Sequence, residues 1–323
     1  LLMCGILAYY SNDTAINLHI FINTLKKLYH RGQDNVGISY LCDGVLKHKN
    51  YNTFKELIEN TQNINSKSIL GHTKYTTSGK KKNSINQPFL SNNSLGDYFL
   101  VYNGNIPIEY TSSNNYINDT LMIINFLNEN ASKSNSWNIL LEKFYDKFDR
   151  AFNIIIQTID KLFILKDRYG VRPLTYTYFK NTNTYMFSSE SYVFENNQPL
   201  KEILAGSLHE LNKNGLNEII NFPNLFEKHC LFEYIYFLNN KSMFENTKIE
   251  IYRTEIGRLM GLRDKKYFDE LNKDFIVCGI PTTGNDYAES YAKTLGIDYK
   301  NYVLKNSKVS RTFILSNNEE RNK

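Results

Sequence analysis

Short segments in which apolar and polar residues alternate dominate the first two thirds of the chain and predict β-strands. The predicted strands cover residues 4–10, 36–41, 68–75, 98–102, 152–158, 162–166, 174–179, 184–187 and 207–211. Apolar residues at helical spacing predict helices over residues 14–29, 118–128 and 138–148. Many strands with a helix pair between them are typical of helices packed on the outside of two stacked sheets.

From about residue 224 the pattern changes. The predicted elements are a helix over residues 249–260, an apolar strand over 275–280, a tight turn at 281–284 and a helix that ends at Leu295. This β-loop-α order is typical of a parallel α/β domain, and too few residues follow it to complete a doubly wound sheet. We therefore expect two domains, residues 4–223 and 224–323, of which the second is partial.

Composition narrows the functional classes. The 323 residues carry a net charge of +5 with acids and bases interspersed, so no nucleic-acid partner is indicated. No apolar run approaches the roughly 18 residues that a membrane span needs, so we expect no membrane partner. The four cysteines are scattered without a C-x-x-C pair, which argues against disulfides or a zinc site and predicts a cytoplasmic protein.

Cys4 is the residue with the most chemical information. If Met3 is the initiator and is removed, Cys4 carries both a thiol and a free α-amine. An α-amine titrates near pH ~8, so it can take the thiol proton and act as the base for its own nucleophile. The alternative is a buried cysteine on the first strand. It holds in particular if residues 1–3 remain, because an amide nitrogen cannot serve as a base.

Five short segments bear on this choice: residues 4–6, 30–34, 71–75, 103–105 and 118–120. In this order and spacing they resemble the N-terminal-nucleophile (class II) glutamine amidotransferases. The resemblance implies an α+β fold, the four-layer αββα sandwich of N-terminal-nucleophile hydrolases. It also implies that the Cys4 thiolate hydrolyses the side-chain amide of glutamine.

The resemblance assigns roles to the other segments. It places the Asn103 side-chain NH₂ and the Gly104 backbone N–H in an oxyanion hole, where a tight hairpin turn is the alternative. It implies that Asp119 binds the α-ammonium of glutamine, that Lys74 binds the α-carboxylate and that Arg31 builds the pocket floor. A structural salt bridge is the alternative for Arg31 and Asp119. Lys74 stands where the family has arginine, which binds carboxylates through two parallel hydrogen bonds, so we expect weaker glutamine binding.

Later segments narrow the resemblance. Residues 148–152, 167–174 and 188–191 are similar to glutaminase segments of several members, whereas 230–237 and 305–314 resemble the amidophosphoribosyltransferase family. That family starts purine synthesis by channelling ammonia from glutamine to phosphoribosyl pyrophosphate, which gives 5-phosphoribosylamine. The implied phosphoribosyl pyrophosphate contacts are Thr282, Thr283, Gly284, Lys305 and Arg311, with Mg²⁺ neutralising the leaving group.

The resemblance is incomplete at the second site. The phosphoribosyl-binding signature of the family should lie downstream of Ile314, where this chain continues only to Lys323. We therefore expect a partial α/β phosphoribosyltransferase-type domain and an incomplete transferase half. Some members bind an iron–sulfur cluster with one ligand near Cys230. Because Cys42 and Cys278 lack matching spacing, we expect no cluster and interpret Cys230 as a packed core thiol.

Two alternatives stay open. The chain could be another class II amidotransferase, such as a glucosamine-phosphate synthase. It could also be a catalytically silent relative that binds glutamine or a partner subunit without turnover. The resemblance further implies a dimer or tetramer of identical chains.

Overall fold

The computed structural model describes residues 3–75, 85–107, 118–194, 199–222, 226–271 and 274–305. The chain divides into two compact units, residues 1–229 and residues 230–323. The domain boundary predicted after residue 223 stays a prediction. In the described ranges, no helix is both long enough and apolar enough to cross a bilayer.

Most strands of the first unit belong to two antiparallel sheets. The strands are β1 (Gly5–Ser11), β2 (Ile16–Asn17), β3 (Asn35–Cys42), β4 (Val45–Tyr51), β5 (Asn65–Ser66), β6 (Ser68–Lys74), β7 (Phe89–Asn93), β8 (Gly96–Gly104), β9 (Phe152–Gln157), β10 (Leu162–Lys166), β11 (Thr175–Phe179), β12 (Thr184–Ser188), β13 (Leu200–Glu202), β14 (Ser207–Asn212) and β15 (Gly215–Asn221). One sheet has seven strands in the order β13-β11-β12-β1-β6-β3-β4, and the other has six in the order β15-β14-β10-β9-β8-β7. β2 and β5 pair separately.

Helices cover the outer face of each sheet. They are α1 (Leu18–Lys26), α2 (Phe54–Glu59), α3 (Asp119–Ala131) and α4 (Trp137–Lys147), with short 3₁₀ turns at Lys180–Thr182 and Ser191–Val193. α1 and α2 pack on the seven-stranded sheet, and α3 and α4 pack on the six-stranded sheet. A third apolar cluster lies between the two sheets. The predicted αββα order is therefore confirmed.

The alternation of side chains along β1 shows why the sequence forms these layers. Ile6 and Ala8 belong to the cluster between the sheets, whereas Leu7 and Tyr9 belong to the cluster that includes α1. A strand directs successive side chains to opposite faces, so a strand that is apolar at every position has to be buried on both sides. Only a layer of helices outside the sheet supplies the second buried face.

Polar residues define where the helices begin. The side chain of Asn17 accepts a hydrogen bond from the N–H of His19 (2.9 Å), and that of Asn118 accepts one from Leu121 (3.0 Å). Such caps satisfy N–H groups that have no partner within the helix. The helix predicted over residues 14–29 is shorter in the structure, where only α1 is helical, because β2, which ends at the cap residue Asn17, pairs with β5.

The second unit contains two long helices and short strands. Its elements are a π-helical turn (Glu233–Phe237), β16 (Met243–Phe244), β17 (Thr247–Lys248), α5 (Ile249–Leu271), β18 (Ile276–Val277), α6 (Thr283–Leu295) and β19 (Asp298–Tyr299). β18 and β19 are parallel, as a β-loop-α unit requires. The predicted strand over 275–280 is shorter than expected, because its partner β19 offers only two residues. α5 and α6 approach closely, since a Cβ on Gly261 would lie 2.8 Å from Thr294.

Candidate active site

Cys4 lies at the end of the seven-stranded sheet where β1 begins and β6 ends, since Gly5 pairs with Thr73. The backbone N–H of Tyr75 points at the Cys4 Sγ atom, with the nitrogen 3.5 Å from the sulfur. Burial raises the pKa of the Cys4 thiol, while the Tyr75 N–H and the positive charges of Arg172 and Lys74 act in the opposite direction. The thiol is therefore protonated at neutral pH and needs a base to become a nucleophile.

His72 is the histidine of β6, and it is not suited to that role. Its side chain is fully buried, and Nε2 lies 3.3 Å from the carbonyl oxygen of Tyr102. Burial, reinforced by the charge of Lys74, lowers the pKa of His72 to about 3. A neutral imidazole with so low a pKa is a poor proton acceptor at pH 7.

Arg31 holds the backbone of the nucleophile. It is 1% exposed; its Nη1 donates to Glu190 Oε1 at 2.6 Å and its Nε donates to the Cys4 carbonyl at 3.1 Å. Its Nη2 lies 3.5 Å from the sulfur of Met3, and His30 contacts the same Glu190 oxygen at 2.7 Å. The structural salt bridge considered for Arg31 is therefore present. Its role as a glutamine ligand stays a prediction.

Asn103 and Gly104 end β8 as paired strand residues, opposite Asn153 and Phe152. The hairpin alternative for this dipeptide is therefore wrong. The Oδ1 atom of Asn103 accepts a hydrogen bond from Arg172 Nη1 at 3.2 Å. Its Nδ2 is buried and has no hydrogen-bond partner among the described residues. A buried donor without a partner is costly in a folded protein, so this one is available for a ligand.

Position 104 requires glycine for a steric reason. A Cβ at this position would lie 2.5 Å from both Cζ and Oη of Tyr102, and closer still to Cε2. Tyr102 is 3% exposed and packs in the cluster beneath α3 and α4, so its ring has little room to move. Only glycine brings the backbone of this strand end into its observed position.

Asp119 is the first residue of α3 and is 7% exposed. Its Oδ2 accepts from Tyr102 Oη at 3.1 Å, and its Oδ1 accepts from the N–H of Thr120 at 3.0 Å. Burial raises the pKa of Asp119, and these hydrogen bonds oppose the rise. In the part of the chain that the structure describes, no salt bridge involves Asp119. A carboxylate at a helix N-terminus without a cation partner can bind an ammonium group.

Lys74 ends β6 and is 7% exposed, and its ammonium group donates to the carbonyl of Ile85. Burial lowers the pKa of Lys74, while the Cys4 thiolate, Asp34 and Asp119 act in the opposite direction. The charges of Lys74, Asp119 and Arg172 all act on the Cys4 thiol. Residues from β6, from α3 and from the loop after β10 are thus brought to one place by the fold.

Arg172 and Tyr102 were not expected in the site. Arg172 belongs to the segment 167–174 that carried part of the resemblance, but nothing in the sequence indicates that its guanidinium reaches Asn103. Tyr102 belongs to a predicted strand, and alternation alone does not show that its hydroxyl meets Asp119. Both contacts join residues at least 17 positions apart.

The residues predicted for the second site lie in the second unit. Thr283 and Gly284 begin α6, preceded by the exposed Thr282, and Lys305 is exposed. Arg311 lies outside the described residues. Cys230 was interpreted as a packed core thiol, but in the structure it is only partly buried. The role of these residues toward phosphoribosyl pyrophosphate stays a prediction.

Comparisons with known proteins agree with this fold. The family described as "Glutamine amidotransferase domain" matches residues 72–196. The amidophosphoribosyltransferase of Methanothermobacter thermautotrophicus is 25% identical over 98% of this chain and 69% of its own length. That of Synechococcus elongatus is 28% identical over 96% of this chain and 65% of its own length. The glutamine phosphoribosylpyrophosphate amidotransferase of Bacillus subtilis superposes with a TM-score of 0.78 at 24% identity, covering 99% of this chain and 70% of that structure.

The αββα sandwich and the match over residues 72–196 make the first unit similar to a glutamine amidotransferase domain. Over nearly its whole length, second unit included, the chain is similar to amidophosphoribosyltransferases. It spans between 65 and 72% of the length of four curated relatives.

Proposed function

We propose that the chain hydrolyses glutamine at Cys4 and that the ammonia is transferred to phosphoribosyl pyrophosphate, which yields 5-phosphoribosylamine. One observation carries the first half of this proposal: a cation (Lys74) and an anion (Asp119) both act on one partly buried thiol. Glutamine carries an α-carboxylate and an α-ammonium at one end and a neutral amide at the other. Lys74 and Asp119 complement the charged end, which leaves the amide for Cys4.

The chemistry follows from the donors at the site. The Cys4 sulfur attacks the amide carbon, and its proton passes to the Cys4 α-amine once residues 1–3 have been removed. The negative charge that develops on the amide oxygen accepts hydrogen bonds from Asn103 Nδ2 and the Gly104 N–H. The α-ammonium then returns the proton to the leaving nitrogen, ammonia departs, and water hydrolyses the thioester to glutamate.

Processing at Cys4 is an essential part of this proposal. In the structure Met3 is fully buried and its sulfur lies beside Arg31. In that form the nitrogen of Cys4 is an amide and cannot accept a proton. We therefore expect hydrolysis only from the chain that begins at Cys4.

The transferase half rests on the similarity to the relatives named above. Thr282, Thr283, Gly284, Lys305 and Arg311 are proposed as phosphate contacts. Mg²⁺ is expected in this reaction, but the described residues of the second unit bring no three metal-ligating side chains together. Asp286, two residues after the predicted phosphate turn, has its carboxylate 3.7 Å from Arg253. The described residues of the second unit therefore do not by themselves fit a magnesium ion.

Assembly and compartment complete the proposal. Helix α5 exposes Ile251, Leu259 and Leu262 by 58%, 52% and 52%, and apolar surface of this kind supports association of identical chains. All four cysteines are free thiols in the structure, which supports the reducing environment of the cytoplasm.

The test is glutamine hydrolysis by the chain that begins at Cys4, followed as glutamate release. We expect turnover that is abolished by Cys4→Ala and unchanged by Cys42→Ala, a matched substitution of a partly buried cysteine in the same unit. The chain that retains residues 1–3 should show no turnover. Equal rates for the Cys4→Ala variant and the unmodified chain would refute the nucleophile and favour the catalytically silent alternative. Phosphoribosylamine formation, measured with phosphoribosyl pyrophosphate and Mg²⁺ added, tests the second half separately.

A further inference from the structure

Arg172 is a buried cation that takes no part in the proposed proton transfers or in binding the charged end of glutamine. It is 2% exposed, and among the described residues no carboxylate lies within salt-bridge distance of it. Its Nε is buried without a hydrogen-bond partner there. Burying a charge without a counter-ion costs stability. Proteins typically keep such a destabilising buried charge where the charged group contributes to function.

The guanidinium has one hydrogen-bond contact in the described structure, from Nη1 to Asn103 Oδ1 at 3.2 Å. Arginine is a donor only, so it can face the oxygen of a side-chain amide but not its NH₂ group. The contact therefore determines which way the Asn103 amide is turned. With Oδ1 held by Arg172, Nδ2 is directed elsewhere, and it is the atom that has no partner in the described residues.

The backbone of Arg172 is fixed to the same strand pair. Asn153, which lies opposite Asn103 in the sheet, donates from Nδ2 to the carbonyl of Pro173 at 2.9 Å and to that of Arg172 at 3.4 Å. On the other side of the loop, the Asp167 carboxylate accepts from the N–H of Val171 at 3.2 Å. Arg172 is therefore held in place before any ligand binds, as a preorganised site requires.

We propose that Arg172 is a positioning residue, which fixes the Asn103 amide so that its NH₂ group faces the oxyanion formed at the glutamine amide. The inference rests on the proposed glutamine hydrolysis and adds a residue to it. Without Arg172, the amide of Asn103 can turn over and present its oxygen to the oxyanion.

The test uses Arg172→Met, Arg172→Lys, Asn103→Ala and the double variant Arg172→Met/Asn103→Ala, each in the chain that begins at Cys4. We expect Arg172→Met to lower kcat about 100-fold, the scale of one lost oxyanion donor, and to change KM for glutamine less than threefold. Arg172→Lys, which keeps a donor and a charge, should recover part of the loss. The double variant should be no slower than Asn103→Ala alone, since Arg172 acts through Asn103.

Thermal unfolding serves as the structural readout. Because Arg172 has no counter-ion in the described structure, methionine at this position should leave the midpoint unchanged or raise it while activity falls. Losses that multiply in the double variant would overturn the inference, and so would a rise in KM without a fall in kcat. An absence of Cys4-dependent turnover in the unmodified chain would refute the proposed function, and this inference with it, before any variant is compared.

Discussion

Substituting Gly104 by alanine should damage the active site through a neighbour that does not touch the reacting atoms. The new Cβ would lie 2.5 Å from Cζ and Oη of Tyr102. Carbon atoms pack at about 3.5–4.0 Å, so the ring or the strand end has to move by about 1 Å. The Tyr102 hydroxyl donates to Asp119 at 3.1 Å, and a displacement of that size removes this hydrogen bond.

Two losses follow from the displacement. A hydrogen bond to a charged group contributes about 1.5–3 kcal/mol, and its loss should weaken the binding of the glutamine ammonium at Asp119. Movement of the strand end also displaces the Gly104 N–H and Asn103 Nδ2, and one lost oxyanion donor costs about 10²–10³ in kcat. We expect Gly104→Ala to lower kcat by at least 100-fold and to raise KM for glutamine. Overpacking around the new Cβ should also lower the free energy of unfolding by about 1–3 kcal/mol.

The assay is steady-state glutamine hydrolysis by the chain that begins at Cys4, with Tyr102→Phe as the matched control. That variant keeps the ring and removes only the hydroxyl, so it should raise KM and leave kcat within a few fold. Tyr102→Leu removes all three clashing atoms, and Gly104→Ala/Tyr102→Leu should recover kcat at least tenfold over Gly104→Ala alone. A Gly104→Ala chain with kcat within threefold of the unmodified chain would refute the reasoning.

Two further predictions concern charge. Lys74→Arg should lower KM for glutamine about 5- to 30-fold, the equivalent of about 1–2 kcal/mol, because arginine binds a carboxylate through two hydrogen bonds; an unchanged KM would contradict this. Burial raises the pKa of Asp167 to about 6 from a reference value of 3.8, so the folded chain holds that proton more tightly than the unfolded chain. This carboxyl therefore makes the protein less stable as pH rises from about 4 to about 6, by up to about 3 kcal/mol. Urea unfolding at pH 4.5 and pH 7 should show a smaller pH dependence for Asp167→Asn, and an equal dependence would assign it to other groups.

Much of the fold could be predicted from the sequence because the signals are local. The strands of the two sheets from β8 to β12 lie within a few residues of their predicted positions. β4 was not predicted, because its residues are exposed or only partly buried and lack an apolar alternation. At a sheet edge, a segment forms a strand because its backbone hydrogen-bonds to the neighbouring strand, here β3, and not because its side chains are buried.

The residues of the candidate site likewise include some that the sequence predicts and some that it does not. The motifs that resemble glutamine amidotransferases indicate Cys4, Lys74, Asn103, Gly104 and Asp119 as candidates for glutamine hydrolysis. The chain alone also shows where Lys74 departs from the usual arginine. What the motifs leave out is the second layer of contacts that holds these groups in position.

The sequence by itself therefore determined the layers of the fold, through local periodicity, and indicated the candidates for the reacting groups, through their side-chain chemistry and motifs. Only the tertiary structure decided that Arg172 meets Asn103, that Tyr102 meets Asp119 and that Arg31 joins Glu190 to the nucleophile. These contacts bring together residues from separate strands, helices and loops. Their geometry depends on how two sheets pack over a shared apolar core, which no local pattern records.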